Sequence, residues 1–221
     1  MTKENHIYVI GSGGHSKVVI DILESMNRYT IIGIVDPFRK PNEIIHGYTV
    51  LGDETILKKE NNQYKRGIVA IGDNWIRSQW VLKVKSICPS FEYITAIHPY
   101  SFISKDSKVG KGSVIMAGAI VNSNSVVGEH CIVNTNSSID HDNSLGYCAS
   151  IAPGVTTGGN VKIGDYSAIS IGATMKHGIE IGAHTIIGAG STVLSNIESS
   201  KVAYGTPAKV IRDRKKGDKY L

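Results

Sequence analysis

The chain has 221 residues, 41% of them hydrophobic and 24 of them glycine, which is enough to bury a core in one large or two small domains and excludes a disordered or low-complexity protein. Its 31 Ile and 19 Val against only 7 Leu disfavour a helix-dominated protein, because β-branched side chains prefer pleated strands. The formal charge of +5 is mostly a tail effect, carried by Arg212, Arg214, Lys215, Lys216 and Lys219. With no aromatic ladder and no nucleic-acid motif, the expected partner is a phosphate-bearing small molecule rather than DNA or RNA.

The amino terminus, Met1-Thr2-Lys3-Glu4-Asn5, runs straight into a strand-like segment with no signal-peptide pattern. No apolar stretch reaches the length of a membrane span, so a cytoplasmic protein without membrane insertion is expected. Ile7-Tyr8-Val9-Ile10 reads as a buried strand and Gly11-Ser12-Gly13-Gly14 as a tight turn. His15 to Asn27 reads as a helix with apolar positions at Val18, Val19, Ile22, Leu23 and Met26. A second strand spans Ile31 to Val35 and ends at Asp36-Pro37. Ile68 to Gly72 is a third, followed by a helix over Asn74 to Ile87. This β-α-β layout predicts a short parallel sheet flanked by helices, ending near residue 95. Cys88, Cys131 and Cys148 form no CxxC pair, which predicts neither a disulfide framework nor a zinc site.

After His98-Pro99 the period changes. Ile103, Val109, Ile115, Val121, Val127, Val133, Ile139, Leu145, Ile151, Ile163, Ile169, Met175, Ile181, Ile187 and Val193 follow one another in steps of six, with Thr157 in the one remaining slot. Two residues before most slots sits a small or β-branched residue, such as Ser113, Ala119, Cys131 or Ser167. Gly110, Gly128, Gly146, Gly164 and Gly182 recur every eighteen. A period of six nested in eighteen predicts three short strands per coil, a triangular β-helix with one aliphatic per hexad pointing inward.

These hexads, and Val202 to Arg212 as a closing segment, resemble the left-handed β-helix of hexapeptide-repeat acyltransferases. With the Gly11-Ser12-Gly13-Gly14-His15 turn, nearly the whole chain resembles the nucleotide-sugar N-acetyltransferases of the bacillosamine, perosamine and sialic-acid group. The left hand of the helix is implied by that resemblance alone. The expected organisation is a Rossmann-like nucleotide-sugar-binding domain over residues 1–97 and a left-handed β-helix acetyltransferase domain over 98–221.

Two constellations carry chemistry. A glycine turn between strand and helix lets backbone amides approach phosphate oxygens at a helix amino terminus, although such a turn also serves as plain structure. Ser16 stands where the third glycine of a dinucleotide fingerprint would pack, so no NAD chemistry is implied. Asp36 is suited to accept a hydrogen bond from a ribose or base. The resemblance implies a nucleoside diphosphate held by Gly11, Gly13, Gly14 and His15, with Asp36 and Arg39 near the nucleoside. The second constellation is Asp140-His141-Asp142. Adding 18 gives Gly159 and adding 18 again gives His177, so these positions stack on successive coils about 4.8 Å apart. An imidazole serves as base for an attacking amine, and a backbone amide at Gly159 serves as donor to the oxyanion.

The resemblance names His141 as the base with Asp142 as its orienter, Asp140 being the alternative. It also implies acetyl-CoA as co-substrate, no metal, and a homotrimer. Where several relatives carry a second histidine that contacts the donor, this chain has Ser150. The donor groove would include Ser150, Gly159, Ala168, Ile187, Gly188 and Ala189, with Lys209, Arg212 and Arg214 as candidates for the CoA phosphates. His177 reads as a corner residue and His98 as part of the domain joint. Two rivals share the fold: an O-acetyltransferase of the sialic-acid type, and a non-catalytic trimeric scaffold.

Overall fold

The computed structural model describes residues 5–58 and 64–219; the first four residues of the amino-terminal segment lie outside that range. In chain order the first part contains β1 (His6–Ile10), α1 (Gly14–Met26), β2 (Thr30–Val35), β3 (Ile44–Ile45), β4 (Tyr48–Gly52), a 3-10 turn at Glu54–Lys58, β5 (Arg66–Val69), α2 (Asn74–Ile87) and β6 (Glu92–Tyr93). The sheet order is β3-β4-β2-β1-β5-β6, parallel throughout except for the β3–β4 hairpin. The helix α1 forms because Val19, Ile20, Ile22 and Leu23 bury one stripe against the sheet, and it stops where Asn27 turns left-handed at φ 47°. Val18, expected on that stripe, lies at the surface. In α2 the Asp73 side chain caps the first turn by accepting from the Ile76 amide at 2.9 Å. The strand expected over Ile68–Gly72 sits earlier, at Arg66–Val69, and residues 70–72 line a cleft beyond its end.

From Ala96–Ile97 to Thr192–Val193, seventeen two-residue strands follow at intervals of six. The first fourteen, through Thr174–Met175, each pair in parallel with the strand eighteen residues later, as Val114–Ile115 does with Ile132–Val133. The second residue of each pair points inward, and these residues make one continuous core from Ile115 to Val193 and beyond. Ile97, packed against that core, starts the column one slot before Ile103. The eighteen-residue glycine recurrence is steric: a Cβ on Gly110 would lie 2.5 Å from the carbonyl carbon of Gly128 on the next coil.

The prism has three faces. The first runs through Val114–Ile115, Ile132–Val133, Ser150–Ile151, Ala168–Ile169 and Ile186–Ile187, and the amino-terminal domain packs on its early coils. Its outward residues Ala96, Val114 and Ile132 belong to the same apolar cluster as Val19 and Leu23 of α1. The second face runs through Phe102–Ile103, Ile120–Val121, Ser138–Ile139, Thr156–Thr157, Thr174–Met175 and Thr192–Val193, and the third from Lys108–Val109 to Glu180–Ile181. An antiparallel hairpin, Lys201–Gly205 with Ala208–Asp213, closes the end of the first face. No helix among the described residues is long and apolar enough to cross a membrane, and the three cysteines are free and buried.

Candidate active site

A cleft of about 450 Å³ opens at the carboxyl ends of β1 and β5, lined by Gly11, Ser12, Gly13, Gly14, His15, Asp36, Phe38 and residues 70–73. The amino terminus of α1 points its free amides here with no acidic residue in its first turn. A Cβ on Gly13 or Gly14 would meet nothing within 4 Å. Packing therefore does not require glycine at either position, whereas close approach of an anion to the backbone does. The two oxygens of Asp36 are already engaged: Oδ2 accepts from the Ser12 hydroxyl at 2.6 Å and Oδ1 from the Phe38 amide at 2.9 Å. Asp36 thus shapes the turn first. Arg39 sits behind it, donating to Ser12 Oγ at 3.3 Å and pairing with Glu43 at the surface.

A second cleft of about 380 Å³ adjoins the first through His15 and Gly72, and lies on the first face of the prism among Asn134, Ser150, Ala168, Ser170, Ile171 and Ala189. Burial, and then the charge of Arg77, push the pKa of His15 down to about 3, so its ring is neutral at working pH. Ser150 is held from the other domain, donating to Asn74 Oδ1 and accepting from Arg77 Nη2 at 3.1 Å. Arg77 is 1% exposed and is the hub of the domain joint. Its guanidinium also donates to Ile71 O and Gly72 O on its own side at 2.9 and 2.7 Å, and to His130 O and Cys148 O of the prism at 2.8 and 3.0 Å. Asn74 and Arg77 were not singled out from the sequence. The available signal was a cation standing at the head of the buried α2 stripe that continues through Val81 and Val84.

The remaining donor-groove candidates divide. Ala168 and Ala189 line the second cleft with Ser150. Ile187 points its side chain into the prism core, 0% exposed, with its carbonyl bonded to the Ser170 amide, which leaves only its backbone at the surface of the coil. Gly188 is a packing glycine, since a Cβ there would lie 2.6 Å from Tyr204 Cβ. Arg214 is a buried staple rather than an exposed cation, donating to His184 O at 3.0 Å and Asp218 O at 2.7 Å. Arg212 pairs with Asp218, and Lys209 remains exposed.

His141 stands at the corner between the second and third faces, with 54% of its side chain exposed. Its Nδ1 lies 2.7 Å from Asp142 Oδ2. A neutral ring with its proton on Nδ1 donates to Asp142 and leaves the Nε2 lone pair free. This hydrogen bond raises the pKa of His141 above the ordinary value, with burial opposing and the charges of Asp140 and Asp142 adding to it; the same bond holds Asp142 low. Asp140 does different work, because its Oδ1 accepts from the His141 amide at 2.8 Å and it does not hold the ring. Gly159 lies under the ring: a Cβ there would sit 2.5 Å from His141 Nε2. The Gly159 N–H has no hydrogen-bond partner among the described residues. His177 is an exposed corner residue, and no group of three or more metal-ligating side chains occurs among the described residues.

The family profile of the PglD N-terminal domain matches residues 6–84, and that of the bacterial transferase hexapeptide (six repeats) matches residues 160–195. Perosamine N-acetyltransferase from Caulobacter crescentus, solved as a His-to-Asn variant with CoA and GDP-perosamine, is 34% identical, with a TM-score of 0.87 over 94% of this chain and 97% of that one. The chain belongs to the hexapeptide-repeat nucleotide-sugar N-acetyltransferases. Its β-helix is accordingly left-handed. The acetyltransferase domain of PglB from Neisseria gonorrhoeae FA1090, solved with acetyl coenzyme A, is 32% identical with a TM-score of 0.87, covering 94% of this chain and all of that one. Among curated relatives, UDP-N-acetylbacillosamine N-acetyltransferase of Bacillus subtilis (strain 168) is 31% identical over 120 residues, and the match spans about half (51%) of each chain.

Proposed function

We propose that this protein transfers acetyl from acetyl-CoA to the amino group of a nucleotide-linked amino-deoxysugar, of the UDP-4-amino-sugar or GDP-perosamine kind, with His141 as general base. The observation that carries this reading is the His141–Asp142 pair at 2.7 Å, with Nε2 free over a glycine. The GDP-perosamine bound in the similar perosamine enzyme and the acetyl coenzyme A bound in the PglB domain support the choice of acceptor and donor classes.

The nucleoside diphosphate is assigned to the cleft at Gly13, Gly14 and His15, on residues 1–97, and the prism, residues 98–221, supplies base and donor groove. As the amine attacks the thioester carbon and the C–N bond forms, His141 Nε2 accepts the amine proton and Asp142 stabilises the imidazolium. The Gly159 N–H is the donor assigned to the oxyanion. Collapse breaks the C–S bond, and the imidazolium returns its proton to the departing CoA thiolate.

The assembly that completes this site is a homotrimer. The outward residues of the second face are Phe102, Ile120, Ser138, Thr156, Thr174 and Thr192, with no charge among them, whereas the third face presents Lys108, Lys162 and Glu180. A copy packed on the uncharged face brings the His141 corner of one chain toward the Ser150–Ala168–Ala189 cleft of the next. The location expected for such an enzyme is the cytoplasm.

A thiol-release assay with acetyl-CoA against UDP-, GDP- and dTDP-linked amino-deoxysugars tests the reading. Release with one acceptor class and an amide product supports it. Release only with a hydroxyl acceptor moves the assignment to O-acetylation, and no release with any acceptor leaves the scaffold reading.

A further inference from the structure

The inward column of the prism has one polar member. Of the seventeen inward slots from Ile97 to Val193, sixteen are aliphatic and the other is Thr157, 3% exposed. A hydroxyl in an apolar column is costly unless it is hydrogen-bonded, so its partners show what holds it there. Thr157 Oγ1 accepts from the Asp140 amide at 3.0 Å and from Asn143 Nδ2 at 2.5 Å, and donates to Ser138 O at 3.3 Å. Asp140 and Asn143 are the two ends of the turn that carries His141 and Asp142. Asn143, itself 2% exposed, also donates to Gly158 O at 3.1 Å and accepts from the Val161 amide at 2.5 Å. The exception in the column therefore falls one coil beyond Ile139, at the slot that reaches both ends of this turn. A departure from a strict pattern that gathers its polar bonds at one turn points to a role for that turn.

We propose that Thr157 is a positioning residue for acetyl transfer: its hydroxyl clamps both ends of the Asp140–Asn143 turn and so fixes the His141 ring over Gly159. The proposal rests on the reading of His141 as base.

Two substitutions in the full chain separate the hydroxyl from the shape. Thr157→Val keeps the shape and restores the aliphatic rule; Thr157→Ser keeps the hydroxyl and removes a buried methyl. For Thr157→Val, kcat falls about 10- to 100-fold with KM within about threefold of wild type, as a misplaced base requires. For Thr157→Ser, kcat stays within about threefold while the thermal midpoint drops. The His141 ring is also titrated by NMR on histidine-labelled protein, Asp140 and Asp142 being the charged groups that face it. In Thr157→Val its pKa moves back toward that of an ordinary histidine, and in Thr157→Ser it does not. Thr157→Cys, a weak hydrogen-bonding group of similar size, stands in for the valine variant if that chain does not fold, with the same loss expected.

Wild-type kcat and ring titration in Thr157→Val, or equal kcat losses in the valine and serine variants, would overturn the proposal. If the wild-type protein acetylates no acceptor, the functional reading fails. The ring titration then decides the clamp alone, an unchanged titration in Thr157→Val overturning it.

Discussion

Gly159→Ala isolates the geometry of the proposed base. The glycine has no left-handed φ, so alanine is allowed by the backbone, and the new Cβ would lie 2.5 Å from His141 Nε2 and 3.0 Å from Nδ1. Ordinary contact begins near 3.4 Å, so the ring must move by about 1 Å, which breaks the 2.7 Å bond to Asp142. The ring is half exposed and can swing outward, so the cost falls on catalysis and little on folding. A displacement of about 1 Å in a reacting group costs roughly 100-fold, within the range of about 10² to 10⁴ that base catalysis contributes. The expectation is a loss of kcat by about two orders of magnitude in the thiol-release assay, with a thermal midpoint within a degree or two of wild type. Wild-type kcat in a folded Gly159→Ala protein would refute the placement of the ring.

Three further outcomes are expected from the same geometry. Because the base acts in its neutral form and Asp142 raises the His141 pKa, wild-type kcat/KM climbs with pH through a value above that of an ordinary histidine. Asp142→Asn lowers that limb toward the ordinary value and depresses the plateau, as a pH–rate profile would show. Gly13→Val fills the open approach to the α1 amides while meeting nothing nearby at its Cβ, so calorimetry should show at least tenfold weaker nucleoside diphosphate binding with an unchanged midpoint. Arg77→Lys leaves two or more buried carbonyls at the domain joint without donors, at about 1–3 kcal/mol each, so denaturant unfolding should show a loss of about 2–6 kcal/mol.

The prism was legible because its period is strict: fifteen aliphatics in sixteen slots leave one frame, and that frame places Gly159 against His141 without any structure. The same frame singles out Thr157 as the polar slot and puts the Ile187 side chain in the core. The helix α2 occupies the expected Asn74–Ile87, with Asp73 capping its first turn and Cys88 at its end. The strand Tyr48–Gly52 was not legible, because it is the second arm of a short hairpin and its five residues, followed at once by a 3-10 turn, carry too little period. Ser150 illustrates the limit more generally. Spacing locates it, but its hydroxyl is committed to Asn74 and Arg77, 76 and 73 residues earlier, and no local pattern encodes that.

The most direct test of the account compares wild type with His141→Ala in one experiment, following CoA release and the mass of the nucleotide sugar while acetyl-CoA binding is measured in parallel. The account predicts a wild-type product carrying one added acetyl group as an amide. In the variant it predicts turnover reduced by at least about 100-fold with acetyl-CoA affinity retained. Wild-type-like turnover by His141→Ala would contradict it.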